Sequence, residues 1–92
     1  MLISVTSKNL EKLEEKANKL LSKAKRSPKK MLPIIEIEYM ELSEDIADQS
    51  KYINSVITKA ETLKKQWQEH KDKAEKLANN VKNEWESLSV PQ

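Results

Sequence analysis

Apolar residues recur at alternating steps of three and four along almost the whole chain. In the first third, Leu10, Leu13, Ala17, Leu20 and Ala24 form such a series, widened by Leu21, and that spacing gathers them on one face of an α-helix. Thr6 or Ser7 offers an N-cap, so a helix is expected from about residue 7 to residue 26. Pro28 should end it, because a proline restricts the residue before it and has no N–H to donate. Lys23, Lys25 and Arg26 in the last turn suit the negative end of the helix dipole.

The pattern restarts after a corner at residues 27–33. Pro33 fits the first turn of a new helix, where a missing N–H is no loss. From there Ile35, Tyr39, Leu42, Ile46, Gln49, Ile53, Val56, Ala60, Leu63, Trp67, His70, Ala74, Leu77, Val81, Glu84 and Leu88 keep one phase, with no proline before Pro91 and no glycine anywhere. This continuity predicts a single helix over about residues 33–88, roughly 80 Å long at 1.5 Å per residue. The weak place is "LSEDIADQSKYINS", where Ser, Asp, Asn and β-branched residues lower helix propensity. A break near residues 48–51 would give a three-helix bundle instead. The expected fold is therefore all-α: one domain over residues 1–92, an antiparallel helical hairpin with a long second helix, coiled-coil-like and oligomeric.

Charge reinforces the pairing of the first two segments. Residues 1–30 carry a net +6, residues 31–50 carry −6 with no base among them, and the remainder carries +2. A basic helix followed by an acidic one suits an antiparallel return. Glu38, Glu41, Asp45 and Asp48 line one face at steps of three, four and three and complement Lys12, Lys16, Lys19 and Lys23. The same acidic line could in principle hold a hard cation, but bundle metal sites draw His or carboxylates from a second helix, and the second helix here is basic. No metal or cofactor is expected.

Such a hairpin leaves residues from about 52 to 88 without a partner in their own chain, and a seam of that length should be covered. Ile53, Val56, Leu63, Trp67, Leu77, Val81, Trp85 and Leu88 are the candidate partner-binding residues. Trp67 and Trp85 lie five helical turns apart on one side, with His70, Ala74 and Leu77 between them, and Trp is a favoured interface anchor. The expected partner is a second copy, as a homodimer or higher oligomer, or another helical protein. His70 alone on the seam reads as a partly exposed residue satisfied by a neighbour or by water, while Gln49 and Glu84 mark places where packing changes.

The corner "KAKRSPKK" is a second candidate site. Lys23, Lys25, Arg26, Lys29 and Lys30 could contact phosphate or an anionic lipid surface, and Ser27 with Pro28 and Lys30 matches a proline-directed kinase pattern whose phosphate would add about −1.5 to −2 charges. Nucleic-acid binding is weakly supported, because the net charge is only +2 and no aromatics accompany the bases.

Composition narrows the classes further. The 92 residues are 37% apolar and 35% charged, with no Phe, which suits helices over a thin core. With no Cys there is neither a disulfide framework nor a thiolate zinc site. One His, no glycine-rich loop and no convergent set of acids and bases argue against an enzyme. "MLISVTS" lacks the basic start of a secretory signal, and no apolar run approaches the ~20 residues of a membrane span, so an intracellular, cytoplasmic protein is expected. The resulting expectation is a non-catalytic oligomerisation or protein–protein interaction module with a scaffolding role. The alternative is a compact helical module that binds an anionic membrane or nucleic acid through residues 23–30.

Overall fold

The computed structural model describes residues 3–89, which form three α-helices joined by two short turns, with no strand among the described residues. Helix α1 spans Ile3–Arg26, α2 spans Leu32–Lys59 and α3 spans Lys64–Ser89. A single 3₁₀ turn, Lys29–Met31, fills the first corner.

That corner is built as its prolines dictate. At the end of α1 the Ser27 hydroxyl donates to the Lys23 carbonyl at 2.7 Å, and the Ser27 N–H donates to Ala24 at 3.3 Å. Both bonds occupy carbonyls that a helix end leaves without partners. Pro28 is extended, at φ −60° and ψ 150°, and its carbonyl accepts from the Met31 N–H at 2.9 Å. Pro33 then lies in the first turn of α2.

Helix α2 returns along α1. The Lys23 ammonium meets the Glu38 carboxylate at 3.2 Å near one end, and Lys12 shares a groove with Asp48 near the other. Between them Lys16 and Lys19 face Glu41 and Asp45. Helix α1 begins at Ile3, and Thr6 is fully buried within it, so the N-cap expected at Thr6 or Ser7 does not form. The first turn extends N-terminally because Ile3 packs beside the Leu10, Ile53 and Trp67 cluster.

The single helix expected over residues 33–88 is interrupted. It stops at Lys59, passes through Ala60 in an extended conformation (ψ 132°) and resumes at Lys64. Leu63 adopts φ 60°, a left-handed conformation uncommon for a residue with a Cβ. The alternative break near residues 48–51 is absent too, since that stretch is helical interior. Local propensity there yields to packing: Ile46 and Ile53, on either side, are each at most 2% exposed.

The turn at residues 60–63 lets α3 fold back on the other two helices. Each large apolar side chain withdrawn from water contributes about 1.5–3 kcal/mol, and Trp67, Val81 and Trp85 are all buried by this return. The left-handed residue costs roughly 1–2 kcal/mol. Burial within the chain outweighs it, so the expectation that residues 52–88 lack an intrachain partner is overturned.

Two clusters fill the bundle. The larger joins Leu13, Ala17, Leu20 and Ala24 of α1 to Ile35, Leu42 and Ile46 of α2 and to Val81 and Trp85 of α3. The smaller joins Leu10, Ile53, Trp67 and Ala74 at the opposite end. The bundle measures 49 × 20 × 16 Å. None of its helices is long and apolar enough to cross a membrane.

Candidate functional site

Folding the seam inward changes where a binding surface can lie. Of the residues expected to bind a partner, Ile53, Trp67, Val81 and Trp85 are buried, and Val56, Leu77 and Leu88 are half-buried against the two clusters. Leu63 alone of that set is exposed, at the turn. Trp85 stacks face to face on Tyr39 with ring centroids 4.8 Å apart. Trp67 meets Tyr52 edge-on at 6.2 Å and His70 at 5.9 Å. The two tryptophans are thus interior anchors of separate clusters. His70 is half-buried beside Trp67.

Where the sequence pattern has Glu84 on the seam, the structure turns Trp85 inward and leaves Glu84 at the surface, 3.8 Å from the Lys25 ammonium. Gln49, the other irregular seam position, is half-buried, and its side-chain amide nitrogen is buried with no hydrogen-bond partner.

The basic corner is exposed but partly engaged. Lys23 pairs with Glu38, Lys25 with Glu84, and the Arg26 Nε donates to the Ser22 carbonyl at 3.3 Å. Lys29 and Lys30 make no ion pair among the described residues. The Ser27 hydroxyl is held at the helix end by its bond to Lys23. Among the described residues no group of three or more His, Asp or Glu could hold a metal ion.

The surface that departs most from its surroundings is one the heptad reading passes over. On the outer face of α2, Ile34, Ile37 and Met40 are 58–61% exposed, and Met31 continues the line at the corner. Their spacing of three places them on adjacent turns of one helix side. Glu41 and Glu44, one turn beyond Ile37 and Met40, and Glu36, one turn before Met40, are exposed beside them. The signal was present in the sequence: between residues 31 and 42 nearly every position that is not acidic is apolar, more than the inward seam needs. A seam-centred reading discards those extra residues.

The chain was compared with protein-family models, with characterised proteins and with solved structures, and nothing matches in any of the three. Function is therefore argued from the geometry of the bundle.

Proposed function

We propose that the protein is a non-catalytic protein–protein interaction module and that its binding surface is the outer face of α2. The observation that carries this reading is the run of exposed large apolar side chains, Ile34, Ile37 and Met40, on a bundle whose seam residues are mostly covered. Contiguous exposed apolar residues rimmed by polar ones mark interaction sites. The rim here is acidic at Glu36 and Glu44, while Glu41 is shared with Lys16 and Lys19 of α1, so the complementary occupant is an amphipathic helix of another protein with basic residues flanking its apolar stripe. Recognition follows helix-on-helix packing, with apolar residues as anchors and opposite charges setting register.

This reading moves the binding residues from the seam to α2. It also ranks above anionic-surface binding through the corner, because Lys23 and Lys25 face carboxylates and the adjoining face of α2 is negative. A scaffolding role follows if the module holds its partner helix in place without chemistry.

Photo-crosslinking tests the assignment. A photoreactive phenylalanine analogue in place of Ile37 should form discrete adducts in cells. Peptide mass spectrometry should map the crosslinked partner segment to a basic amphipathic helix. Ile34→Asp with Met40→Asp should abolish those adducts, whereas the analogue in place of exposed Glu75 on α3 should give none. Adducts equal to the Glu75 control, or adducts that survive the double aspartate, would overturn the reading.

A further inference from the structure

We propose that the turn between α2 and α3 is a swap hinge: at high concentration it straightens, α2 and α3 become one helix, and two copies exchange α3. The occupant of the vacated surface of α1 and α2 is then α3 of a second copy. This is independent of the α2 outer face.

Four observations at the turn point the same way. First, it holds no Gly, Pro, Asn or Asp: apart from Thr62, a weak helix former, its residues Ala60, Glu61 and Leu63 are strong helix formers, and so are Lys64 and Lys65 that follow. Second, the left-handed position is Leu63 rather than Gly or Asn, and glycine there would relieve the strain. Third, α3 opens on Lys64 and Lys65 with no acid in its first turn, which sets positive charge against the positive end of the helix dipole. In a continuous helix those lysines become interior, and Glu61 gains Lys64 and Lys65 as neighbours three and four residues on. Fourth, the apolar phase runs through the turn without a shift, from Ile53 and Val56 to Ala60, Leu63 and Trp67, although two helices joined by a turn have no need to share phase.

Geometry makes the exchange possible without altering the core. Tyr39 on α2 stacks on Trp85 on α3, and the midpoint of that antiparallel pair is residue 62, inside the turn. A two-fold axis placed there lets every contact of α3 be remade with a second copy, as domain swapping requires. The new contact is at the hinge, where Leu63, 51% exposed in the closed bundle, comes against the Ala60 region of the other copy. The closed form avoids the loss of freedom on association, so it prevails in dilute solution, and mass action favours the exchanged form as concentration rises.

The experiment uses the full chain, unfolded in denaturant and refolded at low and at high concentration. Molar mass is read by light scattering after gel filtration. Because the chain has no Cys, Ala47→Cys with Lys76→Cys places two spin labels at exposed sites at about the same level of α2 and α3, given the Tyr39–Trp85 register. With labelled chains diluted in unlabelled ones, only the distance within a chain is read. The closed bundle puts the labels within about 20 Å, given helix axes about 10 Å apart, and the straightened helix puts them roughly 44 Å apart.

The expected result at high concentration is a dimer with the long distance, which persists when diluted because reversal requires unfolding. Leu63→Gly should weaken this dimer by on the order of 10²- to 10³-fold, since glycine relieves the closed turn and disfavours the helix at both hinges. Its closed form should keep the wild-type helical circular dichroism. A chain that stays monomeric at every concentration, or a dimer whose labels stay within about 20 Å, would overturn the proposal. The latter would denote side-by-side association of closed bundles. Neither result bears on the crosslinks expected at Ile37, so the two proposals fail separately.

Discussion

Replacing Trp67 by Ala should cost the fold about 3–5 kcal/mol, whereas replacing Leu63, four residues earlier in the same heptad phase, should cost less than about 1 kcal/mol. The contrast comes from burial. Trp67 is 5% exposed, packed among Leu10, Ile53 and Ala74 from all three helices and held edge-on by Tyr52 at 6.2 Å. A truncation there leaves a hole whose walls stand on three separate elements and cannot close together. Its aromatic contact with Tyr52 adds roughly 0.5–1.5 kcal/mol beyond area. Leu63 is 51% exposed, and alanine keeps a Cβ at φ 60°, so backbone strain is unchanged by the control. A chain of this length has a total stability of about 5–14 kcal/mol, so the Trp67→Ala loss is a large fraction of the total and reaches the edge of folding at the lower end of that range. At about 4–8 °C per kcal/mol for a domain of this size, its melting midpoint should fall by roughly 12 °C or more. Circular dichroism at 222 nm in urea and temperature series is the suitable assay, because removing a tryptophan alters fluorescence directly. Equal midpoints for the two variants would refute the reasoning, since they would return both residues to an intermolecular seam.

Gln49→Leu should raise stability by about 1–3 kcal/mol, because it removes a buried amide nitrogen with no partner; a lowered urea midpoint would mean that this amide is satisfied in solution. Lys29→Glu with Lys30→Glu should leave the melting midpoint within about 0.5 kcal/mol of wild type, as expected for exposed corner residues. Neither protein should sediment with phosphatidylserine vesicles at ~0.15 M salt, where charges more than about 8 Å apart are screened. Vesicle binding by the wild type that disappears in the double variant would restore the anionic-surface reading.

How much of the molecule was legible in the sequence depends on whether a feature is set locally or by closure of the core. The corner is local: Pro28 and Pro33 restrict the backbone whatever else the chain does, and α1 ends at Arg26, within the Arg26–Ser27 limit that Pro28 implies. The pairing of α1 with α2 was legible because the charges are segregated, and Lys23 meets Glu38 as the opposed stripes suggest. The start of α1 was missed because Thr6 looks like a cap by residue type, yet packing draws it into the interior. The outer face of α2 was missed for a different reason. Periodicity identifies which residues can be buried together, and Ile34, Ile37 and Met40 fall outside the dominant phase although they are as apolar as those within it.

The turn at residues 60–63 is the instructive case, because nothing in its own residues asks for it. Propensity at every position but Thr62, the dipole and the heptad phase favour helix there, and the closed form prevails because Trp67, Val81 and Trp85 find partners within the same molecule. The balance is between a local cost of roughly 1–2 kcal/mol for the left-handed Leu63 and a burial that intermolecular contacts could equally supply. When two arrangements bury the same side chains, their difference reduces to the turn itself and to the entropy of association, and the second depends on concentration. A sequence pattern records which faces must be covered but not whether the cover comes from the same chain. The same sixteen-position seam therefore describes both a closed three-helix bundle and a pair of chains with straight second helices, and residues 60–63 are the place where the choice between them is made.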